Sequence, residues 1–454
     1  MKYFSKRGFL LFFAGLHGIY AQQADTLLIN DVNVIPMHRE VVLEKQRVWI
    51  ANGKILKIEP ASAPLEFKAS RVIDGSGRYL IPGLSEMHYH WRNKEGGIER
   101  DFKLLLANGV TTARNMGEYD WQDHIGIRDS VQKGFLMGPA YYTTGPYLQA
   151  RDFPDMEAVD RVVSEHRKKG YDFLKLADNL PKERYLHLLE EAHRQGVTVI
   201  GHGQRKLPLE YSLRMKSIEH VEEFVYILHQ EQGNSPTSLI TDEALLQETA
   251  REVAHSGVYV APTLVIFDMI NRYLDDAQVQ AMKNDSLARY MLAKDRAYWL
   301  SDENLYIANF RGKTVAGTGV PFEKLFTDFD AWIKKFTTLL ASHHVPFLAG
   351  SDTYGMVIPG FSLHQEMQML RDVGLSPYEA LKSATVNPAR YLGTYALEGT
   401  VAEGKVANLV LLRENPLTDI AHTQTIEGVF LRGQWLDREQ LDTMLAEVAR
   451  LGAE

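Results

Sequence analysis

Short apolar runs separated by turn residues fill the first part of the chain. T-L-L-I-N-D-V-N-V-I over 26–35, R-V-W-I-A-N-G-K-I-L-K-I over 47–58 and R-V-I-D-G-S-G-R-Y-L-I-P-G-L over 71–84 read as strands, with N-G and D-G punctuating them as hairpin turns do. The far end carries matching runs, G-T-V-A-E-G-K-V-A-N-L-V-L-L over 399–412 and I-E-G-V-F-L-R-G-Q-W-L over 426–436. The two ends together predict one small β-sandwich domain built from residues 22–81 and 398–454.

Between them, over 82–397, the pattern changes to short apolar strands alternating with helical stretches. The strands are L-S-E-M-H-Y-H, G-V-T-T-A-R-N-M, A-Y-Y-T-T-G, D-F-L-K-L-A, V-T-V-I-G-H-G, S-I-E-H-V, V-Y-V-A-P-T-L-V-I and V-P-F-L-A-G-S-D. Segments between them, such as P-K-E-R-Y-L-H-L-L-E-E-A-H-R-Q-G, space apolar residues by three and four and end in glycine, as helices do. Repeated βα units of this kind predict an α/β fold, a (β/α)8 TIM-like barrel, with a doubly wound open sheet as the alternative. The connection over 268–340 is longer than a crossover helix needs. It is expected as a helical insertion that either covers a pocket or pads the barrel's outside. Its aromatic residues Phe267, Tyr273 and Trp299 either line an apolar pocket or pack an ordinary core, the core being the simpler expectation.

Composition narrows the class. The chain has 454 residues, 45% hydrophobic and 24% charged, an ordinary globular balance for one large domain and a smaller one. A net charge of −8 without a basic stripe gives nucleic acid nothing to bind. Lys2, Lys6 and Arg7 precede the apolar run G-F-L-L-F-F-A-G-L and the small Ala21, the form of a secretory signal peptide over 1–21. That run is too short to serve comfortably as a membrane anchor, so a secreted or periplasmic mature chain is expected. The oligomeric state is left open, a homo-oligomer included. The absence of cysteine removes disulfides, thiolate ligands and a cysteine nucleophile, so any metal must be held by nitrogen and oxygen.

His88 and His90 sit two positions apart in a strand, a spacing that sends both imidazoles to one face. The pair is weak evidence for a metal by itself. In a barrel, however, active groups gather at the carboxyl ends of the strands. His88 and His90 end the first strand, Lys175 lies in the fourth, and His202, His220 and Asp352 end the fifth, sixth and eighth. Six polar groups are therefore expected at one mouth.

In their order, strand positions and flanking residues, these motifs resemble the amidohydrolase superfamily, nearest to its imidazolonepropionase-like and prolidase-like members. The likeness covers roughly 25–440 and is carried by V-I-D-G-S-G-R-Y-L-I-P-G-L, A-N-G-V-T-T-A-R-N-M-G, the stretch from His364 to Gly393, and G-T-V-A-E-G-K-V-A-N-L-V-L-L.

The resemblance implies two divalent metal ions, with His88, His90 and Asp352 on one and His202 and His220 on the other. It further implies that Lys175 bridges both as an N-carboxylate, since an ammonium has no lone pair and would repel the cations. Zinc fits such ligands, as do manganese, iron and cobalt. The implied activity is hydrolysis of an amide C–N bond in a peptide-like small molecule, such as a dipeptide, Xaa-Pro or N-acyl amino acid. A metal-bridging hydroxide would be the nucleophile, and Asp352 would carry the proton to the leaving nitrogen. Alternatives on the same scaffold are a mononuclear cyclic amidase or deaminase, and a lactone or phosphotriester hydrolase. One departure stands out: Asn115 follows Arg114 where the family pattern leads us to expect Asp. Arg114 is read as pairing with a buried acid rather than with substrate. His364 is expected on a helix face or pocket wall, and His124, His193, His255, His343 and His344 are given no role.

Overall fold

The computed structural model describes residues 26–65, 68–232 and 239–452. The expected signal peptide over 1–21 lies outside the described residues. The N-terminal segment forms β1 (Leu27–Val34), β2 (Leu43–Ala51), β3 (Lys54–Pro60), β4 (Arg71–Asp74) and β5 (Tyr79–Pro82). Asn52 and Gly53 join β2 to β3 with both φ angles positive, the backbone that a two-residue hairpin needs. The D-G pair at 74–75 makes no hairpin. Both β4 and β5 run parallel to β1, on its first and second halves. Gly75 lies so close to β1 that an added Cβ would stand 2.6 Å from that of Val32. Asp74 instead accepts from the backbone and hydroxyl of Ser76, a local turn that shifts the chain along β1.

Seven staves of the barrel are regular strands: β6 (Leu84–Tyr89), β7 (Val110–Asn115), β8 (Ala140–Thr143), β9 (Leu174–Leu176), β10 (Val199–Gly201), β11 (Ser217–Glu219) and β12 (Tyr259–Ala261). They pair in parallel as two runs, β6-β7-β8 and β9-β10-β11-β12. A parallel bridge from Leu148 to Leu176 links the runs. The eighth stave, residues 346–350, has no long ladder but closes the ring. Leu348 donates to the carbonyl of Val260 at 2.9 Å on one side, and Met87 donates to that of Ala349 at 2.9 Å on the other. Gly350 is required at that seam, because a Cβ there would come within 2.6 Å of the backbone nitrogen of His88. The run V-Y-V-A-P-T-L-V-I, expected as one strand, is divided: the strand stops at Ala261, Thr263 turns at φ 52°, and a helix begins at Leu264. A buried strand and a buried helix share the same unbroken apolar run, so periodicity alone cannot place that boundary.

The chain then returns with β13 (Leu409–Leu412), β14 (Ile426–Leu431) and β15 (Gln434–Asp437). β13 pairs antiparallel with β5, giving the sheet order β15-β14-β13-β5-β1-β2-β3 with β4 beside β1. This mixed sheet bends around a core that includes Ile29, Val32, Val48, Leu409, Leu411 and Phe430, the sandwich expected from both ends of the chain. The final helix, Arg438–Leu451, begins with a capping box at Asp437 and Gln440. It packs on the barrel helix Gly97–Ala107, where Lys103 meets Glu447 at 2.7 Å.

The long connection does both of the things considered for it. Tyr273, Val279, Met282, Tyr290 and Ile307 build a separate apolar cluster with Met356 and Val357, padding the rim beyond the eighth stave. The helix Phe322–Ser342 buries Trp332, Ile333, Phe336 and Leu340 against the barrel while its first turns look into a cavity at the barrel mouth. Among the described residues no helix is long and apolar enough to cross a membrane.

Candidate active site

The six residues meet at the carboxyl ends of the staves. Nε2 of His88 is 3.9 Å from Oδ1 of Asp352, and Nε2 of His90 is 3.3 Å from the same oxygen. Nζ of Lys175 lies 3.5 Å from Nε2 of His88. Ring centroids are 4.6 Å apart for His88 and His220, and 4.9 Å for His220 and His202. One ligand atom each from His88, His220 and Asp352 falls within 4.8 Å of the others, a candidate site for a divalent ion.

Neighbours fix how three of the imidazoles face inward. Nδ1 of His88 bonds Glu219 at 2.9 Å, Nδ1 of His202 bonds Glu223 at 2.7 Å, and Nδ1 of His220 bonds the Thr263 hydroxyl at 2.7 Å. A proton on each Nδ1 leaves Nε2 with its lone pair, the arrangement that metal-ligating histidines use. Burial, and then the charge on Lys175, push His88 well below its usual value. Burial likewise brings His220 down to about 3. These rings are therefore neutral donors at neutral pH. The backbone is strained at the same place: His220, Thr263 and Asp352 adopt φ of 73°, 52° and 49°, a left-handed region unusual for side chains with a Cβ.

Lys175 is 1% exposed, and among the described residues no carboxylate lies within ion-pair distance of it. Burial pushes its amine down to about 8. A buried amine without an anion is costly as an ammonium. As an N-carboxylate among four imidazoles it would become an acidic donor set suited to divalent cations, so the residues present fit a metal centre. Burial would raise Asp352, but the Arg92 guanidinium, 3.2 Å away, holds it below the usual carboxylate range.

Several contributors were not singled out from sequence. Glu219 and Glu223 orient His88 and His202, and Arg92 anchors Asp352 while also donating to the Thr353 carbonyl at 3.0 Å. The run I-E-H-V-E-E carried the only hint, acids flanking His220, but which of them turns inward depends on folding. Arg114 behaves as expected. Fully buried, it donates to both oxygens of Glu219 at 2.9 Å and to the Met87 carbonyl at 2.7 Å. Asn115 accepts from the backbone of Gly117 and stays out of the ligand cluster. His364 is buried between Thr423 and the carbonyl of Asn108, holding a helix in place.

Two chambers open from the cluster, and both reach His202, His220, Arg92 and Asp352. One, of about 520 Å³, is walled by the long connection through Ile266, Phe267, Ile270, Phe326, Phe329 and Ile333. Of the three aromatics considered earlier, only Phe267 lines it. Tyr273 is fully buried, stacked on Trp299, which packs edge-on to Tyr354. The second, of about 720 Å³, is lined by Tyr119, Trp121, Tyr147 and Arg151 and also reaches His90 and Lys175.

A barrel with a terminal-segment sandwich, and histidines, a lysine and an aspartate at its mouth, defines a hydrolase class. The chain belongs to the Amidohydrolase family, whose profile matches residues 79–436, and it is a hydrolase acting on C–N bonds. An imidazolonepropionase of Caulobacter vibrioides is 24% identical over 391 residues, covering 82% of this chain and 88% of that protein. The structure of a Xaa-Pro dipeptidase with methionine bound in its active site superposes with a TM-score of 0.65 at 16% identity, covering 91% of this chain and all of that one. Bottromycin amidohydrolase superposes with a TM-score of 0.72 at 20% identity, covering 95% of this chain and 91% of that one. These likenesses run to imidazolonepropionase and to prolidase-type structures that share this chain's fold.

Proposed function

We propose that this protein is a binuclear metal-dependent hydrolase that cleaves the amide bond of a peptide-like small molecule outside the cytoplasm. The observation that carries the reading is the buried Lys175, without an ion-pair partner among the described residues, lining the same mouth as four histidines and an aspartate. His88, His90 and Asp352 would hold one ion, His202 and His220 the other, and N-carboxylated Lys175 both, zinc being the metal that suits these donors. When bound, the ions would supply Lewis acidity to the scissile carbonyl and lower the pKa of bound water.

The chain's own groups account for proton movement and order. Asp352 is ionised beside the Arg92 guanidinium, so its carboxylate can take a proton from water. It then delivers that proton to the departing nitrogen, which leaves poorly as an amide anion. Arg92 fixes the carboxylate's direction during both transfers. Glu219, Glu223 and Thr263 keep the ligand rings from turning. The likeness to a Xaa-Pro dipeptidase and the paired chambers, one for each side of the scissile bond, favour a dipeptide or similar amide.

Export remains part of the proposal and rests on the residues before 22. The test is metal analysis of the purified protein joined to a screen of dipeptides, N-acyl amino acids, cyclic amides and lactones, with Asp352→Asn as the control. Amide turnover with about two ions per chain is the expected result. One ion per chain with turnover confined to cyclic amides, or equal activity in the variant, would reject it.

A further inference from the structure

The chamber walled by the long connection has an uneven chemistry. Most of its surface is apolar, from Ile266, Ile270, Phe326, Phe329 and Ile333. Tyr226 packs on Phe329 at a centroid distance of 5.9 Å and extends that wall towards His202. Its charged groups are Arg92, Glu222, Asp330 and Asp352. Three of these are satisfied inside the protein. Arg92 is bound to Asp352 and the Thr353 carbonyl, and Asp330 is closed by Lys334 at 2.6 Å.

Glu222 is different. Its only ion-pair contact among the described residues is a long one, 3.5 Å to Arg205. That guanidinium is committed elsewhere: it donates to Glu223 through Nε at 2.6 Å and Nη2 at 2.5 Å, and it lies 3.9 Å over the ring of Tyr226. The chamber thus offers an acid, two residues along the chain from His220, whose one cationic neighbour among the described residues is shared with Glu223.

We infer that this chamber takes the acyl half of the substrate, with a bulky apolar or aromatic side chain against Phe326 and Phe329 and a free α-amino group on Glu222. The inference rests on the amide-hydrolase reading above and specifies its substrate class: a dipeptide-like amide with an unblocked N-terminus, rather than an N-acyl amino acid. The opposite placement meets a physical objection. The amine half of a dipeptide ends in a carboxylate, which would face Glu222 and Asp330 with no uncommitted cation on this wall. An N-terminal residue carries an ammonium and no carboxylate, so its charge complements the chamber while its side chain buries apolar area.

The test compares the metal-loaded protein's binding of L-phenylalanine and 3-phenylpropanoate by calorimetry. The two ligands share ring and carboxylate and differ in the amine. The wild type is expected to bind L-phenylalanine about tenfold more tightly, the scale of one charge-assisted hydrogen bond. Glu222→Gln is expected to abolish that preference, Glu222→Asp to restore part of it, and Phe329→Ala to weaken both ligands. Equal affinities in the wild type, a preference that persists in Glu222→Gln, or no binding of either ligand would overturn the inference. Because the measurement needs no turnover, it separates this inference from the hydrolase reading. Amide cleavage without amine preference would remove only the Glu222 subsite, and amine preference without cleavage would remove only the reaction.

Discussion

Glu219 receives Nδ1 of His88 at 2.9 Å on one oxygen while Arg114 donates to both oxygens at the same distance, so His88 is tied to a fully buried ion pair. Glu219→Gln leaves the Arg114 charge uncompensated in the barrel interior. Stability of the metal-free protein should fall by about 3–5 kcal/mol. Zinc affinity should fall about 10–100-fold as His88 loses its orientation. Urea unfolding and chelator competition measure the two effects separately; unchanged zinc affinity would show that Glu219 serves only Arg114.

Lys175 should make metal loading depend on bicarbonate. Only the neutral amine attacks carbon dioxide, and burial has brought the amine down to about 8. The neutral fraction grows as pH rises through that value, so zinc uptake by the metal-free protein should quicken from pH 7 to 9 and then level off. Lys175→Ala should bind less zinc and lose the bicarbonate dependence. Atomic absorption after desalting, with and without bicarbonate, reads the outcome; identical loading in both conditions contradicts the bridge.

Asp352→Asn keeps a side chain of the same size near Arg92 but removes the proton acceptor. Turnover of the best amide substrate should fall by about 10²–10⁴-fold. The thermal midpoint of the metal-free variant should stay near that of the wild type. Steady-state kinetics and calorimetry check these together, and a kcat near the wild-type value would assign the proton transfer to another group.

Gly350→Ala tests the barrel seam. The new methyl would meet the Cβ and backbone nitrogen of His88 at 2.6 Å. Either the eighth stave or β6 must move, at a cost of about 1–3 kcal/mol. Because β6 carries His88, zinc affinity should drop in parallel with stability. Loss of stability alone would mean that the eighth stave gives way and β6 stays.

The clustering of the six residues was legible because barrel geometry converts sequence position into spatial position: a side chain at the carboxyl end of a stave has only one mouth to face. That is why His202 and His220 could be picked from fourteen other histidines. The groups that orient them follow no such rule. Thr263 reaches His220 only because the chain leaves β12 through a left-handed residue instead of continuing as a strand. Glu222 and Glu223 are adjacent in sequence, yet one holds His202 and the other lines a chamber, a division set by the start of the following helix. The D-G pair at 74–75 misled for a related reason. A turn signal reports local backbone, whereas pairing of β4 and β5 with opposite halves of β1 is a tertiary choice.

The antiparallel pairing of β13 with β5 has a consequence for the order in which the molecule can be completed. Only Gly83 separates β5 from the stave that bears His88 and leads into His90, and its amide is held by the Asn408 carbonyl. During synthesis that outer edge must wait until nearly the whole polypeptide has emerged, so the footing of the first stave is among the last contacts to form.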